Sequence, residues 1–113
     1  MHEIGLMQHA LDIALERAVT AGARHIHRVT MRVGAEAGVV PDVLAFAFEV
    51  ATRGTIAEGA RLEIEDVPLM CFCSLCDREF QPADALHECP CCGQPGAQVR
   101  RGHELELASL DVS

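Results

Sequence analysis

Six cysteines lie between Cys71 and Cys92, and the rest of the 113-residue chain has none. Four of them form two C-x-x-C pairs, Cys73-Ser-Leu-Cys76 and Cys89-Pro-Cys91-Cys92, with 12 residues between the pairs. Two intervening residues let a tight turn aim both sulfurs at one ion, and two such turns complete a tetrahedral thiolate shell. That donor set suits Zn²⁺. A saturated shell leaves no position for water or substrate, so the ion reads as structural and not catalytic. Two other chemistries use the same residues. Disulfides would normally staple more of a small secreted fold. A single rubredoxin-like iron is usually packed with aromatics, and only Phe72 and Phe80 are nearby. Cys71 and Cys91 are left over and read as reduced thiols, either able to exchange into the shell, while His87 is an alternative ligand.

A second constellation opens the chain: Met1-His2-Glu3. A free α-amine, the His2 backbone nitrogen once deprotonated, and His2 Nδ1 can chelate one ion through fused five- and six-membered rings. Three in-plane nitrogens suit a planar ion such as Ni²⁺ or Cu²⁺, and Glu3 can add a fourth donor through its backbone or carboxylate. Chemistry alone does not make this a site, because a histidine at position 2 is usually only a histidine. His9 reads as an exposed helix residue, His25 and His27 as a solvated pair on one strand face, and His103 has no evident partner.

The elements that must hold these groups follow from periodicity. Ile4, Met7, Leu11, Ala14, Leu15 and Ala18 recur at spacings of three and four, predicting a helix over 4–21 that stops at Gly22. Leu6, Ala10 and Ile13 widen its apolar face. Over 25–34 the period falls to two, with Val29, Met31 and Val33 opposite Arg28, Thr30 and Arg32. Pro41 can open a second helix, whose face is Leu44, Ala47, Phe48 and Ala51 and whose end is Gly54. Leu62 and Ile64 mark a second strand. Residues 103–112 read as a third, with a phase slip near Ala108 that suggests a bulge. The expected fold is α+β: two helices packed on a three-stranded sheet, with an inserted zinc-ribbon-like module built on four cysteines. On this reading 1–70 plus 98–113 form one α/β domain, which carries Met1-His2-Glu3, and 71–97 is an inserted zinc-binding domain.

Composition narrows the partners. Half of the residues are hydrophobic, enough for a core, but there is no Trp or Tyr. The formal charge is −8, and all nine basic residues are arginine. Four zinc-bound thiolates would deepen it, since one Zn²⁺ returns only half of the charge they add. Nucleic acid is therefore not an expected partner. No apolar run approaches the ~20 residues of a membrane span. The start Met-His-Glu-Ile lacks the cationic segment and cleavage site of a secretory signal, which with the clustered thiols makes a cytoplasmic protein the expectation. No Ser/His/Asp set, phosphate-cradling loop or open metal site stands out, so no enzyme is expected.

Met-His-Glu at the start, Phe46-Ala-Phe48-Glu49 followed by Thr52-Arg-Gly54-Thr55, then Glu58-Gly59-Ala-Arg-Leu62 and two cysteine knuckles together resemble the HypA/HybF family. These are nickel metallochaperones of [NiFe]-hydrogenase maturation, and the resemblance covers essentially the whole chain. It implies a Ni(II) site at His2 with Met1 and Glu3 as neighbours, and structural Zn(II) on Cys73, Cys76, Cys89 and Cys92. It also implies two partners, a HypB-type GTPase and the hydrogenase large subunit that receives the nickel. An open sheet edge would permit a strand-exchanged homodimer. The alternative reading is a zinc-ribbon adaptor that binds other proteins and has no nickel role.

Overall fold

The computed structural model describes the chain except for Met1, Asp84, Ala85 and the side chain of His2. Its elements run α1 (His2–Thr20), β1 (Ile26–Gly34), α2 (Pro41–Thr52), β2 (Arg61–Val67), β3 (Met70–Cys73), β4 (Arg78–Phe80), β5 (Gln98–Arg101) and β6 (Leu105–Val112). They form two three-stranded sheets, ordered β2-β1-β6 and β4-β3-β5. The architecture is the α+β one expected, with more strand than the sequence suggests.

Two compact units share the chain. The first comprises Met1–Arg32, Gly38–Glu65 and Glu106–Ser113; the second comprises Val33–Ala37 and Asp66–Leu105.

In the first unit α1 packs against α2. Its buried stripe is Met7, Leu11, Ala14 and Ala18, the three-and-four spacing that one helix face requires. Ile4, expected in that stripe, is instead exposed, because it lies one turn beyond the packed region. The helix ends where Gly22 turns left-handed, at φ +76°. There Gly22 N–H reaches Val19 O at 2.9 Å and Ala23 N–H reaches Ala18 O at 2.9 Å, a paired closure that satisfies two terminal carbonyls. In α2, Leu44, Ala47, Phe48 and Thr52 are buried. Thr52 takes part because its hydroxyl donates to Phe48 O at 2.9 Å, which removes the cost of burying it.

The central strand β1 separates two chemistries. Val29 and Met31 are buried on one face. On the other, Arg28 lies between Glu63 of β2 and Asp111 of β6. Arg32 repeats the arrangement with Glu65 and Glu106. Each arginine thus bridges both edge strands by charge pairing across the sheet face. In β6 the burial alternation slips one step between Leu107 and Ala108, where the sequence pattern changes phase.

The second unit departs furthest from expectation. The sequence reads 71–97 as a zinc-ribbon-like module and marks no strand in it, yet β3 pairs antiparallel with both β4 and β5. Cys71, Cys73, Phe80 and Cys89 are its buried centre, with Leu69, Cys76, Ala97 and Val99 packed around them. Strands of three or four residues are too short to show a period, so they leave no signature in the sequence. Arg100 adds a cap, its guanidinium 4.3 Å above the Phe72 ring.

Candidate metal centre

The first knuckle is the turn of the β3–β4 hairpin. Cys73 closes β3 opposite Arg78, so Cys76 sits in the connecting loop. Asp77 takes a left-handed φ of +51°, which turns the chain back sharply enough to bring Cys76 towards Cys73. The second knuckle is closed by backbone bonds, Gly93 N–H to Cys89 O at 2.9 Å and Cys89 N–H to Gln94 O at 3.0 Å. Gly93, at φ +74°, supplies the reversal just beyond Cys92.

These turns bring Cys73, Cys76, Cys89 and Cys92 together, with all four sulfurs within 4.8 Å of one another. Cys73 and Cys92 Sγ are 3.6 Å apart, and Cys76 and Cys89 Sγ are 3.9 Å apart. Four sulfurs at Zn–S bonds of about 2.3 Å in a tetrahedron stand about 3.8 Å apart. The donor set and its spacing therefore fit Zn²⁺.

Electrostatics around the sulfurs is uneven. Backbone N–H groups, that of Cys92 first and that of Cys91 with it, point at Cys89 Sγ and pull its thiol down to about 7. Cys76 is pushed up to about 12, chiefly by its contact with Cys92 Sγ and then by burial. Gln94 N–H pulls Cys92 downwards, but burial and the neighbouring sulfurs outweigh it and the net shift is upwards. One thiolate is thus favoured by the fold, while Cys76 and Cys92 resist ionising beside it. A divalent cation relieves that repulsion.

The two spare thiols stand outside the quartet. Cys71 is fully buried in the small core, and burial, then the charge of Glu36, raises its pKa. Cys91 is exposed and accepts a hydrogen bond from Arg78 Nη1 at 3.0 Å. His87, the alternative ligand in the sequence, turns away from the sulfurs: its Nε2 lies 3.5 Å from Glu36 Oε1. His103, which has no evident partner in the sequence, places its Nε2 3.2 Å from the other oxygen of the same carboxylate. That cluster gives no sequence signal, because its members are 51 and 67 residues from Glu36.

Of the expected nickel donors, Met1 and the His2 imidazole lie outside the described residues. Glu3 lies in the first turn of α1, and its Oε2 accepts a hydrogen bond from Val40 N–H at 3.2 Å. Val40 is the N-cap of α2 and supplies no capping bond from its own side chain. Glu3 therefore ties the start of α1 to the start of α2.

Residues 1–112 match a protein family described as hydrogenase/urease nickel incorporation, metallochaperone, hypA. A Picosynechococcus protein named hydrogenase maturation factor HypA is 46% identical over 112 residues, covering 99% of both chains. One of the same name from Chloroflexus aggregans is 43% identical over 113 residues, again across 99% of each. A solved structure titled as HypA protein superposes with a TM-score of 0.77 at 25% identity, over 100% of this chain and 97% of that one. The Ni metallochaperone HypA from Helicobacter pylori superposes at 0.70 with 22% identity over 97% and 96%, a likeness of fold alone.

Proposed function

This chain belongs to the HypA family of nickel-incorporation metallochaperones, and we propose that it is a non-enzymatic carrier that takes Ni²⁺ at its N-terminus for delivery to [NiFe]-hydrogenase. The whole-length family match, in a chain that opens Met-His-Glu, is the observation that carries this reading. On it, the Met1 amine, the His2 backbone nitrogen and His2 Nδ1 hold the ion in a plane, with Glu3 beside them.

The start of α1 supports that chemistry. The first four N–H groups of a helix have no intrahelical acceptor, so deprotonating the amide of His2 sacrifices no helical bond. The helix dipole disfavours a cation there by about 0.3–1 kcal/mol, and the anionic amide offsets it. A terminal site with few protein ligands also suits a carrier, which must release what it binds.

Zn²⁺ on Cys73, Cys76, Cys89 and Cys92 is structural in this account and holds the second unit together. A structural zinc contributes about 10–16 kcal/mol of apparent binding energy. The recipient is the hydrogenase large subunit, and a HypB-type GTPase assists transfer in the cytoplasm. No described helix is long and apolar enough to cross a membrane. Strands β2 and β6 lie at the sheet edges, the route by which a homodimer would exchange strands.

The test is nickel calorimetry on zinc-loaded protein. Replacing His2 with alanine, or adding residues before Met1, should abolish tight binding while zinc content and helicity persist. Unchanged affinity in both variants would reject the N-terminal site. Uptake of zinc without nickel by the native-start protein would instead favour the zinc-ribbon adaptor.

A further inference from the structure

We infer that the outer edge of β2 receives an extended strand of another protein, one that alternates apolar side chains with lysine or arginine. β2 ends its sheet, in the order β2-β1-β6, so alternate backbone N–H and C=O groups over 61–65 point away from β1. Such an edge is a template for strand addition, in which main-chain hydrogen bonds give affinity and alternate side chains give specificity. Both faces of β2 are shaped to read those side chains.

On the helix side, a groove of about 640 Å³ is lined by α2 and the start of β2. Phe48 and Thr52 are buried beneath it, so its floor is fixed by packing, while Glu49 and Glu58 stand exposed along it. Glu58 Oε1 accepts the Gly54 N–H at 2.9 Å, which ties the loop before β2 to the end of α2. Leu62 and Ile64 point to this side by strand alternation and are only half-buried, so apolar side chains of an added strand would cover them. The groove is built from the segments over 46–62 that carry the family resemblance and that neither metal site uses.

On the other side stand Glu63 and Glu65, 45% and 54% exposed. Arg28 is divided between Glu63 and Asp111, and Arg32 between Glu65 and Glu106. Four carboxylates thus share two guanidiniums, and the face is short of positive charge. Lysine or arginine at alternate positions of an added strand lies across from Glu63 and Glu65 and makes up the deficit. A second β2 is a poor occupant: laid antiparallel about Ile64, two copies would set Glu63 against Glu65 twice. The opposite edge, β6, is a poorer template, because its alternation slips between Leu107 and Ala108 and breaks the row that a partner must follow.

The experiment titrates the zinc-loaded, nickel-free full chain with a capped peptide, Thr-Lys-Val-Lys-Val-Lys-Thr, followed by amide NMR and hydrogen exchange. Signals over 61–65 and along α2 should shift, alternate amides over 61–65 should exchange more slowly, and β6 should be unaffected. A peptide of the same composition with its lysines gathered at one end should bind about fivefold more weakly or worse, as should the native peptide to a Glu63→Gln, Glu65→Gln chain. Ala45→Arg fills the groove from an exposed helix position and should abolish binding at unchanged helicity and zinc content. No binding, equal binding of the rearranged peptide, shifts centred on β6, or unchanged affinity in both variants would each overturn the inference. The outcome is separable from the nickel reading, since His2→Ala should leave peptide binding intact.

Discussion

Cys89 and Cys76 lie in one cluster, yet their surroundings pull them in opposite directions, one to about 7 and the other to about 12. Zinc binds thiolates, so uptake must expel the protons that these sulfurs still carry. Below pH 7 the Cys89 thiol is itself protonated, and one more proton must leave than above it. Zinc binding should therefore release more protons at pH 6 than at pH 8, and apparent affinity should fall on acidification. Calorimetry in two buffers of different ionisation enthalpy measures this directly; pH-independent release would contradict it. The spare thiols give a second contrast. Cys71→Ser places a hydroxyl in a fully buried, apolar position and should cost about 1–3 kcal/mol in thermal unfolding of the zinc-loaded protein. Cys91→Ser alters an exposed group outside the quartet, so zinc content by elemental analysis should remain one per chain.

At the scale of elements, glycines act in two distinct ways. Gly22 closes α1 at φ +76° with open space where a Cβ would go, so Gly22→Ala carries only conformational strain, about 1–2 kcal/mol. Gly34 has an ordinary φ but no space: a Cβ would meet the Gly102 backbone at 2.1 Å. Gly34→Ala must push two backbones apart and should be the more destabilising, by about 3 kcal/mol or more. Chemical denaturation of both variants compares them, and equal losses would contradict the distinction. Sequence can reveal the first role, because a helix pattern that ends at glycine is local. It cannot reveal the second, because the crowding partner is 68 positions away. The same logic separates the strands. The Val29, Met31, Val33 alternation and the Met7, Leu11, Ala14, Ala18 stripe are legible, being long enough to show their periods. β3, β4 and β5 are not, and the Glu36 cluster is assembled by irregular backbone that no period encodes. The cysteine quartet is legible because its turn geometry is written in two-residue spacings, whereas Glu3's bond to Val40 is not.

For the molecule as a whole, each unit has its own source of stability. The first buries aliphatic faces of two helices and β1; the second has a small core made largely of its cysteines. Stripping zinc with a chelator should therefore unfold the second unit while leaving helical circular dichroism nearly intact. Simultaneous loss of both signals would show that the units do not fold separately. On the proposed reading, metal type follows the same division: sulfur for the ion that shapes the protein, nitrogen and oxygen for the ion that it carries. X-ray absorption at the nickel edge of zinc-loaded, native-start protein tests that division most directly. The account predicts a planar shell of nitrogen and oxygen donors that disappears in the His2→Ala chain. Sulfur in the nickel shell, or an identical shell without His2, would contradict it.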